Sequence, residues 1–231
     1  MSDMRVLRSD ERSGWSPLVE PPGEIPSGGR ETSAFTSNDG AFTCGLWERE
    51  PDTWSFERPY DEVAYILQGS AEMDTAGGPT ISIRAGDVLV TPNGSKGTWR
   101  ITETIAKLYA IYSGGEVEDT EIRVVHDGDP VDWTALETAP GGPNPPGEEW
   151  CAWRNPDGRF STGVWRRAPE TGEMSLDYNE IAILIDGEVD VESGGCVLSV
   201  RPGDVLVTPK GSRGVWRARS PVRKFWAVHH E

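Results

Sequence analysis

Only three of the 231 residues are cysteine and three are histidine, so the sequence is poor in the residues that most metal and nucleophile chemistry needs. Cys44, Cys151 and Cys196 are odd in number and lack the paired spacing of a zinc ribbon. Neither a disulfide framework nor a thiolate metal site is expected, and a reducing cytoplasm suits them best. Long apolar runs are missing too. The longest, Val63–Leu67 and Ile181–Ile185, are far too short to span a bilayer, and MSDMRVLRSDERSG at the start has no apolar signal core. A soluble cytoplasmic protein with no membrane partner is the expectation. Positive charge is likewise scarce. Lys and Arg number 22 against 38 Asp and Glu, a formal net of −16, and such a field repels phosphate backbones, which argues against a nucleic-acid partner. No helix-length segment of 3.6-residue period stands out.

What is abundant is Gly (27), Pro (18) and Trp (10), with aromatic and β-branched residues bunched in short runs. That composition favours strands and turns, and an all-β chain. The chain also repeats itself. DGAFTCGLWERE from Asp39 aligns with DGRFSTGVWRRA from Asp157, and the same offset carries YDEVAYILQG (Tyr60–Gly69) onto YNEIAILIDG (Tyr178–Gly187). AGDVLVTPNGSKGTWR then matches PGDVLVTPKGSRGVWR one residue short of that offset. Recurrence of GDVLVTP among so many matched Gly, Trp, Tyr and Glu makes this a duplication. The copies span Asp39–Ile111 and Asp157–Val228.

Within each copy, strand-length runs alternate with turn residues: FTCGLWE, EVAYILQ, SAEMDT, TISIRA, VLVTP, GTWRI and IAKLYAIY in the first. Gly69, Gly187, Gly86-Asp87 and Gly203-Asp204 mark turns, and Pro92 and Pro209 end the VLVT strands. This pattern fits a small sandwich or jelly-roll barrel. The Pro-, Gly- and acid-rich stretch between the copies has linker composition, with Val124, Val125 and Trp133 apolar enough to dock. The expected organisation is an N-terminal domain over 1–115, a linker over 116–150 and a C-terminal domain over 151–231.

The ordered set Glu62, Gly69, Gly86-Asp87, Pro92 and Gly94, and again Glu180, Gly187, Gly203-Asp204, Pro209 and Gly211, resembles the two motifs of the cupin superfamily. The closing segments GSKGTW…AKLYAIY and GSRGVW…VRKFWAVH are similar, more narrowly, to the cupins that include ureidoglycine aminohydrolase and the ethanolamine-utilisation proteins. The resemblance implies two tandem cupin jelly-roll β-barrels and leaves room for a homodimer. It also implies three metal-binding histidines per barrel, and none is present. Their places hold Ser55 and Glu57, or Phe56 and Arg58, with Gly97 in the first copy. In the second they hold Glu173 and Ser175, or Met174 and Leu176, with Gly214. His126, His229 and His230 cannot supply such a site inside either barrel, so no cofactor is expected. A weak divalent-cation site of oxygen ligands, Glu57 with Glu62 or Glu173 with Glu180, is the alternative.

If Glu62 faces the interior, strand alternation turns Ala64 and Ile66 inward with it, and Gly97 inward turns Trp99 inward. Glu180, Ala182, Gly214 and Trp216 repeat this. A carboxylate desolvated beside an indole has a raised pKa and can act as general acid or base, which makes Glu62 and Glu180 catalytic candidates. Tyr60 and Lys107 join them, with Trp47, Trp54, Arg58, Trp99, Tyr109 and Trp216 as substrate-binding candidates. The plainer alternatives are tryptophans that fill the barrel core, and Glu62 and Glu180 as buried acids paired with a nearby Lys or Arg. The first copy is richer in charge and aromatics around the motif and is the preferred site. The functional expectation is an isomerase, lyase or hydrolase that handles a small polar metabolite by metal-independent carboxylate chemistry. The alternative is a non-catalytic binding or structural bicupin.

Overall fold

The computed structural model describes residues 4–11, 13–17, 29–136 and 147–231, and every regular element in them is a β-strand. Residues 137–146 of the expected linker lie outside the described residues. No helix among the described residues is long and apolar enough to cross a membrane. The chain forms two compact units. One comprises Arg12–Asp129 with Asn155–Asp157, and holds the first barrel; the other comprises Met1–Glu11, Pro130–Arg154 and Gly158–Glu231, and holds the second.

In chain order β1 (Arg5–Arg8) comes first. Then follow β2 (Ser16–Pro17), β3 (Gly29–Thr36), β4 (Phe42–Arg49), β5 (Asp52–Glu57), β6 (Asp61–Gln68) and β7 (Ser70–Thr75). The first barrel continues with β8 (Thr80–Arg84), β9 (Val88–Thr91), β10 (Lys96–Ile101), β11 (Ile105–Tyr112) and β12 (Arg123–Val125). The second runs through β13 (Thr134–Ala135), β14 (Glu148–Arg154), β15 (Phe160–Arg167), β16 (Glu170–Ser175) and β17 (Asn179–Asp186). It closes with β18 (Val189–Ser193), β19 (Cys196–Val200), β20 (Asp204–Thr208), β21 (Arg213–Ala218) and β22 (Val222–His229).

Each barrel pairs a seven-stranded with a four-stranded sheet. The first has the orders β12-β9-β6-β11-β4-β3-β2 and β5-β10-β7-β8; the second has β1-β20-β17-β22-β15-β14-β13 and β16-β21-β18-β19. The seven strand runs legible in the first copy coincide with β4 and β6 to β11. The glycines between them do what the turns require. Gly69 and Gly187 lie at φ 81° and 92°, and a Cβ there would come within 2.2 Å of the Thr104 carbonyl and 2.4 Å of that of Pro221.

The stretch read as a linker is built into the barrels. Its β12 completes the first barrel's large sheet with Val124 opposite Leu89, and its β13 and β14 belong to the second. At the N-terminus β1 completes the second barrel, with Val6 opposite Leu206. Arg5-Val6-Leu7 stands at the repeat offset from Arg123-Val124-Val125, as Trp15 does from Trp133. The duplication therefore reaches back to the N-terminus, and each copy opens with a strand that finishes the other copy's barrel.

The two interiors are apolar where the sheets face each other. In the first, Ala64, Ile66, Met73, Ile83, Leu89, Trp99 and Ile105 form one cluster, against which Trp47, Trp54 and Phe56 pack. In the second, Trp165, Leu176, Tyr178, Trp216 and Trp226 cluster with Met4, Ala182, Leu184 and Val191.

A candidate active site in the first barrel

Period-two alternation lines one end of the first barrel with polar groups. Glu62 stands on β6, Lys107 and Tyr109 on β11, Trp47 and Arg49 on β4 and Glu31 on β3, all in the large sheet. Trp54 and Phe56 on β5 and Trp99 on β10 face them from the small sheet. A register shift at Ala106 and Lys107 in the β11–β6 pairing sits beside the lysine, and such bulges re-aim side chains. Gly45 makes room for Tyr109, since a Cβ there would lie 2.8 Å from the phenol oxygen. The Arg58–Tyr60 segment closes the site. Its backbone is pinned by Arg58 N–H donating to the Ser95 carbonyl (2.9 Å) and Gly94 N–H donating to the Arg58 carbonyl (2.7 Å).

The result is a cavity of about 540 Å³, within the range of small-molecule sites. Of the residues expected to carry function, Glu62, Tyr60, Lys107, Trp47, Trp54, Arg58, Trp99 and Tyr109 all line it. Glu180 and Trp216 belong to the second barrel and do not line this cavity. Glu31 and Arg49 also line the cavity and were absent from the expectation.

At its floor Lys107 Nζ donates to Glu62, both side chains nearly fully buried, and Arg58 reaches the second carboxylate oxygen at 3.3 Å. Lys107 lies 4.8 Å from the Trp47 ring centre and 5.8 Å from that of Trp99. Trp54 stacks on Trp99 with centroids 5.8 Å apart, and the Arg49 guanidinium, paired with Asp52 at 2.8 Å, covers the Trp54 ring at 3.8 Å. Arg58 donates to the Tyr60 hydroxyl at 3.3 Å.

These neighbours correct the raised pKa expected of Glu62. Burial alone would raise it, but the Arg58 and Lys107 charges outweigh burial and hold the carboxyl below its usual range, so it stays ionised. Burial pulls Lys107 down in spite of Glu62. The carboxyl that burial does raise is Glu31, opposed by the Lys107 charge. Burial also raises Tyr60 and Tyr109, which stay neutral phenol donors.

The second barrel keeps the plainer arrangement. Lys224 donates to both oxygens of Glu180, at 2.7 and 2.8 Å, beneath Trp165 and Trp216. Both glutamates are thus buried acids paired with a lysine. This bears on metal binding. A divalent cation on Glu62 would sit against two positive charges, and Glu57 turns to Lys96 at 3.0 Å. Glu180 gives both oxygens to Lys224. The weak oxygen-ligand sites therefore do not fit these donor sets, and among the described residues no group of three His, Cys, Asp or Glu converges.

The comparisons with known proteins agree with this architecture. No curated protein matches the sequence. Among solved structures, a protein of unknown function from Pseudomonas syringae pv. tomato superposes with TM-score 0.76 at 19% identity, covering 97% of this chain and 98% of that one. Protein Ylba from E. coli gives 0.68 at 13%, covering 98% and 90%. A variant of salicylate 1,2-dioxygenase from Pseudoaminobacter salicylatoxidans gives 0.59 at 12%, covering 82% and 71%. At such identities the likeness is one of fold. The EutQ-like cupin domain matches twice, over residues 36–109 and 154–226, and so the chain belongs to the EutQ-like cupin family, as a bicupin.

Proposed function

We propose that the first barrel binds a small polar metabolite and moves a proton on it without a metal, with Glu62 as the proton acceptor. The observation that carries this reading is the single cavity face shared by an ionised buried Glu62, Lys107, Arg58 and a second carboxyl, Glu31, whose environment pushes it the other way. Paired titratable groups with divergent pKa values divide into acid and base. Glu62 accepts a proton from an acidic C–H or N–H of the ligand, and Glu31, kept more readily protonated, returns one. Lys107 and the phenols of Tyr60 and Tyr109 hold the oxygen on which negative charge develops. A ligand that draws Arg58 away from Glu62 removes one of the charges holding that carboxyl low, so binding itself raises its basicity. The chemistry is then that of an isomerase, lyase or hydrolase acting beside an electron-withdrawing group.

The second reading is binding without turnover. It is favoured by the Lys107–Glu62 ion pair, whose positive charge weakens the carboxylate as a base. Incubation of a metabolite extract with the chelator-treated full chain, followed by mass spectrometry, separates the two. The catalytic reading expects a species consumed by the wild type and slowed about 100-fold or more by Glu62→Gln. Consumption untouched by that substitution, or none at all, rejects it, and retention of a species without change supports binding alone.

A further inference from the structure

The two barrels carry the same ion pair under different surroundings. In the second, Glu180 gives both carboxylate oxygens to Lys224. In the first, the equivalent Glu62 and Lys107 are joined by Arg58, and the second copy has Leu176 at that place, buried in its apolar cluster. Trp54 and Phe56 likewise stand where the second copy has Gly172 and Met174. Glu31 recurs as Glu149, Trp47 as Trp165 and Trp99 as Trp216, so they do not distinguish the copies. Glu57, at the rim, is spoken for by Lys96. What sets the first barrel apart from the second is one added cation and two added rings.

That cation is arranged for use. The Arg58 guanidinium lies 4.7 Å from the Phe56 ring centre and 5.7 Å from that of Tyr60, close to both ring faces. A guanidinium carries five N–H donors in a planar fork matched to a carboxylate. Its contacts with Glu62 and Tyr60 leave Nε buried with no acceptor among the described residues, a donor that Leu176 does not offer in the second copy. Buried donors without acceptors are costly to maintain, and an acceptor-bearing ligand relieves them.

We infer that the ligand of the first barrel is a small organic anion, a carboxylate on an apolar, ring-sized body, with Arg58 as its docking group and Trp54 and Phe56 beside its body. The inference rests on the first barrel being a ligand site, and it names the charge of what enters. Benzoate, benzamide and benzylamine share one ring and differ in charge, so titration of each into the full chain, followed by calorimetry and tryptophan fluorescence, tests it. Benzoate is expected to bind at least about tenfold more tightly than the other two. Arg58→Leu, which installs the second copy's residue, is expected to abolish the preference, and Arg58→Lys to keep part of it, with unchanged thermal unfolding showing that each variant folds.

Equal or tighter binding of benzamide or benzylamine, or benzoate binding indifferent to Arg58→Leu, overturns the inference. If benzylamine binds and Trp54→Ala removes it, the anion falls while the ligand site stands. If none of the three binds at about 5 mM, the anion is rejected at millimolar affinity, and the site itself is judged separately by the Glu62→Gln turnover comparison.

Discussion

Glu62 shows how neighbours rather than burial decide the charge of a buried acid. Its ordinary value of 4.5 is lowered in the fold, so as the pH falls the unfolded chain takes up the proton first. The stability contributed by the ionised carboxyl is then complete above 4.5 and is lost as the pH falls through the lowered value. Glu62→Gln is expected to cost about 3 kcal/mol at neutral pH, by leaving two buried cations facing a neutral amide, and the gap to wild type should narrow below pH 4.5. Urea unfolding across that range measures it, and a constant gap down to about pH 3 would contradict the assigned shift. Glu31 has the opposite sign, because its raised value makes its contribution present below 4.5 and lost as the pH rises through the raised value. Much of this site was legible. Glu62, Trp99, Lys107 and Tyr109 follow from alternation on strands that the repeat had already marked. Arg58 as the partner of Glu62 was not, since four extended residues would separate them by about 13 Å and only the turn at Pro59 brings them together. Arg49 recurs as Arg167 inside the matched segment and could have been found there. Glu31 recurs as Glu149 at the same offset, but ahead of the segment where the copies are alike enough to notice.

At the scale of the strand, the exchange of opening segments ties each barrel to a distant part of the sequence. β1 covers an edge of β20, and Met4 just before it is buried, its methyl carbon 3.3 Å from where a Gly214 Cβ would stand. Removal of residues 1–11 uncovers that edge and empties the Met4 site. The expected result is loss of amide hydrogen-exchange protection in Val205 to Val207 of β20, with Val88 to Val90 of β9 unchanged, because β9 is covered by β12. Equal loss in both strands, or in neither, would show that β1 does not have this role. The central strands of each copy were readable because each is a short apolar run between Gly and Pro turns. The covering strands were not, because β1, β12 and β13 have four residues or fewer, lie among acids and glycines, and owe their pairing to the sheets they meet.

Over the whole molecule, duplication has produced two barrels with one hydrophobic plan and two kinds of interior. The second copy answers Arg58, Trp54 and Phe56 with Leu176, Gly172 and Met174, of which Leu176 is buried in its apolar cluster and Met174 packs against it. The jelly-roll architecture, the missing histidines and the first copy's extra charge and aromatics were plain in the sequence, whereas the Arg58–Glu62 contact behind the proposed division of labour appears only once packing is known. Native mass spectrometry of the full chain after exposure to a metabolite extract tests this division most directly. One small-molecule adduct per chain, lost on Arg58→Leu and kept on Lys224→Met, is the predicted result; two adducts per chain, none, or one that survives Arg58→Leu would contradict it.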